Sequence, residues 1–140
     1  MFDKIKHRLA SDEGFTLIEL LVVIVILGIL VAIAVPSYLS FRGSAQDAAS
    51  KSNVRSAIPA AESYYQNNVA NPSSYTGLTG AALRTAAPGV SPNVKAGPNA
   101  TKDGYCIQDT EGAQTWSYSG GAGGTSVITQ AACDAAYGVS

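Results

Sequence analysis

FTLIELLVVIVILGILVAIAVP, Phe15 to Pro36, decides how the rest of the chain is read. Between Phe15 and Val35 every residue is apolar except Thr16, Glu19 and Gly28. Wound into a helix at 1.5 Å per residue, that stretch is about 30 Å long, close to the hydrocarbon thickness of a bilayer. A plain membrane anchor is the simplest account. Two details ask for more. Glu19 is the run's only charge, and a carboxylate inside an apolar helix is costly unless something pairs with it. The run also starts abruptly after Asp12-Glu13-Gly14, with no basic residue touching it.

Gly14-Phe15-Thr16-Leu17-Ile18-Glu19 closely resembles the cleavage and assembly motif of type IV pilins and their pseudopilin relatives. In that family a short basic leader ends in Gly, and a prepilin peptidase cuts after it. The new first residue, often Phe, is N-methylated, and a Glu follows at the fifth mature position. The resemblance therefore implies a cut between Gly14 and Phe15, methylation of Phe15 and an assembly role for Glu19. Gly28 and Pro36 also fall where many members carry them. The match covers about the first third of the chain, and the remainder agrees in outline.

The cut would free an α-amino group on Phe15, one helical turn from Glu19. That spacing permits a pair within one chain. The resemblance instead implies that Glu19 meets the Phe15 amine of a neighbouring subunit. Such a charge would set the axial register between apolar helices, as a buried polar residue does in a coiled coil.

Residues 1–14 read MFDKIKHRLASDEG. Lys4, Lys6 and Arg8 before the apolar run favour a cytoplasmic N-terminus. The same basic segment would suit an ordinary secretory signal, and Ala32-Ile33-Ala34 is an A-x-A site that would release a protein starting at Val35. The apolar run is longer than the usual h-region of about 7–15 residues, and Glu19 lies inside it.

The whole chain has 140 residues, room for one small domain besides the apolar segment. Its net charge of -1 offers no basic footprint for nucleic acid. His7 and Met1 are the only residues of their kinds, so a chain cut after Gly14 has neither. Without histidine neither a Ser-His-Asp nor a Cys-His arrangement can be built. GxxxxGK[ST] and HExxH motifs are absent as well. No enzyme and no cofactor are expected. The two cysteines, Cys106 and Cys133, suggest one disulfide in a chain that leaves the cytoplasm.

Pro36 removes the helical hydrogen bond to the carbonyl of Ala32, and Gly28 is a second weak point, so a kink is expected at both. Residues 37–67 are expected to continue the helix, since no turn cluster precedes Asn67-Asn68. Asp47 and Lys51 make an i,i+4 pair in the favourable order. Val54, Ile58, Ala61 and Tyr65 form an apolar stripe for the head, while Phe41, Ala45 and Ala48 lie on roughly the opposite side, toward neighbouring subunits. Pro59 is expected to interrupt the helix and free the carbonyl of Arg55.

Residues 69–104, rich in Asn, Pro and Gly, read mostly as loop. Residues 78–87 suit a short helix with Thr79 as its cap. Asn99-Ala100-Thr101 is a glycosylation sequon, a triplet that often arises by chance. From Tyr105 the pattern turns to strands. Tyr105 and Ile107 share one face, as do Trp116 and Tyr118. Residues 109–113 suit a hairpin loop, 120–124 a flexible glycine turn, and 126–129 a third strand. Asp103, Asp109, Glu111 and Asp134 are candidate calcium ligands, but their spacing matches no calcium loop, and solvated loop carboxylates are the simpler reading. No metal is assigned.

The expected fold is α+β: a long N-terminal helix with a small antiparallel sheet as head, the lollipop shape the resemblance implies. Residues 1–14 form the cleaved leader, 15–36 the membrane or filament-core helix, 37–68 its second half packed on the head, and 69–140 the head. The expected function is a structural subunit of a helical surface filament, held in the membrane before assembly. Its implied partners are other copies, the prepilin peptidase, a platform protein and an assembly ATPase. Major pilin, minor pilin, secretion pseudopilin and competence pilin all share these features. Outside the family the alternatives are a secreted soluble domain cut after Ala34 and a single-span membrane protein that never polymerises.

Overall fold

The computed structural model describes residues 15–140; the leader and Gly14 lie outside the described residues. Helix α1 spans Leu17–Asn67 and α2 spans Gly80–Ala86. Four strands follow, β1 (Lys95–Pro98), β2 (Gly104–Glu111), β3 (Gln114–Gly121) and β4 (Ile128–Thr129). They form one antiparallel sheet in the order β1-β2-β3-β4. The architecture is α+β. The chain divides into two compact units, Met1–Ser40 and Phe41–Ser140.

In the first unit the apolar part of α1 buries nothing. Leu20 to Leu27 are each 46–59% exposed, and Leu17 is 93% exposed. Gly28 and Pro36 both lie within the helix. Just past Pro36 the Ser37 hydroxyl donates to the Ile33 carbonyl at 3.3 Å.

The second unit is built on the later part of α1. Ser50, Val54, Ala57 and Ala61, spaced four, three and four, are completely buried against the sheet. The buried line thus runs one step to the side of the expected one, with Ile58 and Tyr65 half-buried on its flank. Ala57 and Ala61 share one core with larger side chains, among them Val54, Leu78, Leu83, Tyr105 and Ile107. Phe41, at 74% exposed, points away from this core. Pro59 does not interrupt α1. It is itself exposed, its lost hydrogen bond frees a single carbonyl, and packing on both sides holds the helix together.

The opposing face comes from β2, where Tyr105, Ile107 and Asp109 alternate inward and are fully buried. Four tyrosines line this face: Tyr65–Tyr75, Tyr75–Tyr105 and Tyr105–Tyr118 have ring centroids 4.7, 4.6 and 6.1 Å apart. Tyr105 and Tyr75 donate to the two oxygens of Glu62, at 2.7 and 3.2 Å. Burial first, then the Glu62 carboxylate, pushes both phenols well above the usual tyrosine range.

Several local expectations change. Residues 109–113 are not a loop: β2 continues to Glu111, and only Gly112 and Ala113 connect it to β3. Gly112 supplies the positive φ, 62°, of a two-residue hairpin with Gly first. Lys95–Pro98, expected as loop, is the edge strand β1. Its outer side is met by the chain end, with the Ser140 amide donating to Ala96 at 3.1 Å and the Gly138 amide to Pro98 at 3.2 Å. Gly120 and Gly121 belong to β3, and the third expected strand shrinks to Ile128–Thr129. Asp47 and Lys51 turn to Trp116: its indole N–H donates to Asp47 at 3.1 Å, and the Lys51 Nζ lies 5.0 Å from the ring centroid. Thr79 caps α2 by accepting from the Ala82 amide at 3.1 Å.

Gly120 sits directly opposite Tyr105, and a Cβ there would come within 2.7 Å of the tyrosine ring. Gly120→Ala is expected to destabilise the head by about 1–3 kcal/mol, the range for overpacking a filled core. Chemical denaturation read by tryptophan fluorescence measures it, and an unchanged midpoint would contradict this packing.

Candidate assembly site

The start of α1 carries the chemistry. Thr16 is the residue before the helix, and Glu19 is its third helical residue. The Thr16 hydroxyl accepts from the Glu19 amide at 3.2 Å. In return, Glu19 Oε2 accepts from the Thr16 amide at 3.1 Å and from its hydroxyl at 3.0 Å. This is a capping box, in which two otherwise orphaned helix N–H groups are satisfied reciprocally. Among the described residues, all hydrogen bonds to the Glu19 carboxylate come from Thr16.

Sequence reasoning singled out Glu19 and missed Thr16. The signal was present, since Thr-x-x-Glu immediately before an apolar run marks a helix start. The Thr16 amide belongs to the Phe15–Thr16 peptide, so a cut before Phe15 leaves these bonds intact. Around them the surface is apolar: Phe15 is 85% exposed, and Phe15, Leu20 and Val23 line a shallow notch with Glu19. Hydrogen bonds to a charged acceptor are stronger than neutral ones, so the chain's own Thr16 offsets part of the cost of taking Glu19 out of water.

Thr16→Val is expected to lose the cap at a cost of about 0.5–2 kcal/mol. Amides 17–19 should then exchange several-fold faster in detergent micelles. An unchanged exchange rate would mean that the box does not hold the helix start.

Elsewhere the candidates behave as follows. Cys106 and Cys133 are joined in a disulfide with a Cα–Cα distance of 6.0 Å. The four candidate calcium ligands are each engaged separately. Asp103 accepts from Asn99 at 2.8 Å and from Thr101, and these hydrogen bonds, Thr101's first, lower its pKa. Glu111 accepts from Asn93 at 2.9 Å, and Asp134 from the Ala136 amide at 2.8 Å. Asp109 is not a solvated loop carboxylate but lies buried against α1. Among the described residues, no three such ligands gather. Asn99 of the sequon uses both ends of its amide, donating to Asp103 and to Ala122 at 3.2 Å and accepting from the Gly104 amide at 3.1 Å.

Comparison with known proteins places these features. Residues 9–35 match the prokaryotic N-terminal methylation motif. Over 107 residues the chain is 31% identical to the type IV wide pilus major component PilA4 of Thermus thermophilus, covering 76% of this chain and 79% of that protein. The chain belongs to the type IV pilin and pseudopilin family. This pilin-family chain is also 39% identical over 95 residues to the type II secretion system core protein G of Pseudomonas aeruginosa, covering 68% of this chain and 63% of that protein. It is 39% identical over 54 residues to the type IV major pilin protein PilA of Myxococcus xanthus, covering 39% of this chain and 24% of that protein. The chain thus spans less than two thirds of the length of these last two relatives. No solved structure matches the chain with significance.

Proposed function

We propose that this pilin-family protein is the structural subunit of a type IV pilus or pilus-like filament. One observation carries the reading: every large apolar side chain from Phe15 to Leu39 is at least 46% exposed, and the lone carboxylate among them is held ready by its own Thr16. A helix so apolar needs lipid or other copies of itself as surroundings. Before assembly it spans the membrane with its N-terminus in the cytoplasm and its head outside. The prepilin peptidase cuts between Gly14 and Phe15, and Phe15 is methylated. A platform protein and an assembly ATPase then move the subunit into a filament, where many such helices bury one another.

In that core Glu19 meets the Phe15 amine of a neighbour, and Gly28 and Pro36 are the points at which the helix gives way as subunits pack. Phe41, Ala45 and Ala48 line the contact between copies. The work is structural rather than catalytic.

Deleting the gene should remove a class of surface filaments, and restoring it should bring them back. Antibody against the head should then decorate those filaments along their length. Filaments that persist unlabelled in the complemented strain would overturn the reading.

A further inference from the structure

We propose that Asp109 is a proton-operated latch between α1 and the β2–β3 hairpin: as the neutral acid it closes the seam, and as the carboxylate it loosens it. This concerns the head alone and holds whether or not the chain assembles.

Ser50, Asn53 and Asp109 make this part of the contact between α1 and β2 polar. Asp109 is completely buried. Its backbone carbonyl accepts from the Ser50 hydroxyl at 2.7 Å, and its Oδ2 accepts from Asn53 Nδ2 at 3.2 Å. Oδ1 is buried with no hydrogen-bond partner among the described residues. A carboxylate offers about four acceptor sites on its two oxygens, and here the side chain receives one donor. The neutral acid asks for less, and a buried carboxyl escapes an unmet charge by keeping its proton.

The charged groups around it do not supply the missing cation. On α1, Asp47 and Lys51 are both directed at Trp116. On β2, Glu111 lies two residues along and adds repulsion. On β3 the residue facing Asp109 is Trp116, which does not titrate. Burial raises the Asp109 pKa, the Asn53 hydrogen bond and the nearby Ser50 hydroxyl partly oppose this, and Glu111 raises it further.

The sign follows by linkage. The folded protein holds this proton more tightly than the unfolded chain, whose Asp titrates near pH ~3.9. The seam is therefore at full strength below that pH. It weakens as pH rises through the folded-state value and is weakest above it.

Trp116 is the only tryptophan and lies directly opposite Asp109, so its fluorescence reports the seam. The experiment uses the full chain in detergent micelles, titrated from about pH 3 to about pH 9. Amide exchange of residues 104–121 is followed in parallel and corrected for the intrinsic pH effect. The wild type should show one fluorescence step with a midpoint above the usual Asp range, and hairpin exchange should rise across it. Asp109→Asn should abolish the step and keep exchange slow at high pH. Glu111→Gln leaves the seam residues untouched, keeps an acceptor for Asn93, and should move the midpoint down. A step that survives Asp109→Asn and vanishes in Asp47→Asn would overturn the proposal, as would a wild-type head whose exchange is flat with pH. If Asp109→Asn fails to fold, an unmoved midpoint in Glu111→Gln also overturns it.

Discussion

Glu19→Ala is expected to be inserted and cut after Gly14 like the wild type, yet to yield few or no surface filaments. The substitution would leave a neighbour's Phe15 amine unpaired in an apolar core. Removing one partner of a buried ion pair leaves the other charge uncompensated, so association should fall roughly a hundredfold or more at each contact. Glu19→Asp should fall between, because its shorter reach shifts the contact.

The capping box sharpens the test. Glu19→Ala removes both the charge and the acceptor for the Thr16 amide. Glu19→Gln keeps an acceptor there, since Gln also serves in a capping box, and removes only the charge. If the charge sets the register, Gln should assemble as poorly as Ala. Normal filament numbers from Glu19→Gln would reduce the residue's role to capping. Filament counts and the processed mass of each variant give the answer.

The second large effect concerns the head. The Cys106–Cys133 bond joins β2 to the C-terminal segment across a sequence separation of 27. That segment is otherwise held by hydrogen bonds, from the Cys133 amide to Gln108 at 2.8 Å, from Gln130 to Gln114 at 2.6 Å, from the Gly80 amide to Ser140 at 3.0 Å and from the chain end to β1. The core beneath the sheet is small, with Leu78, Leu83, Val54, Val94, Tyr105 and Ile107 its largest buried apolar side chains, and so modest a core usually needs a staple. Closing a loop of this size contributes about 3–4 kcal/mol in the chain-entropy account. Replacing both cysteines by Ser should lower the calorimetric Tm by roughly 10–30 °C, with early exchange at residues 130–140. A Tm within about 2 °C of wild type would show that the sheet and helix need no staple.

The fold class, the helix end at Asn67, the Thr79 cap and the apolar segment were all legible in the residues. What escaped had physical causes. Ser50 does not register as hydrophobic, yet it is buried with its hydroxyl satisfied by the Asp109 carbonyl at 2.7 Å. Lys95-Ala96-Gly97-Pro98 looks like a turn, but it pairs with β2 as a strand, and Gly97 leaves room for the Gly138 carbonyl, which would stand within 2.3 Å of a Cβ there. Asp109 resembles a loop residue by composition, and the continuation of β2 places it inside by alternation with Tyr105 and Ile107. At the assembly site Glu19 stood out as a charge among apolar neighbours. Thr16 did not, because an uncharged hydroxyl at the edge of the run draws no notice until its reciprocal bonds with Glu19 are seen.

The most direct measurement is the mature N-terminus of the chain isolated from the cell envelope and from sheared surface filaments. Intact mass with N-terminal sequencing should give a chain starting at Phe15 and carrying one added methyl group. A start at Val35 would make this a secreted soluble domain, and an uncut Met1 start would make it a plain membrane anchor; either result would contradict the account.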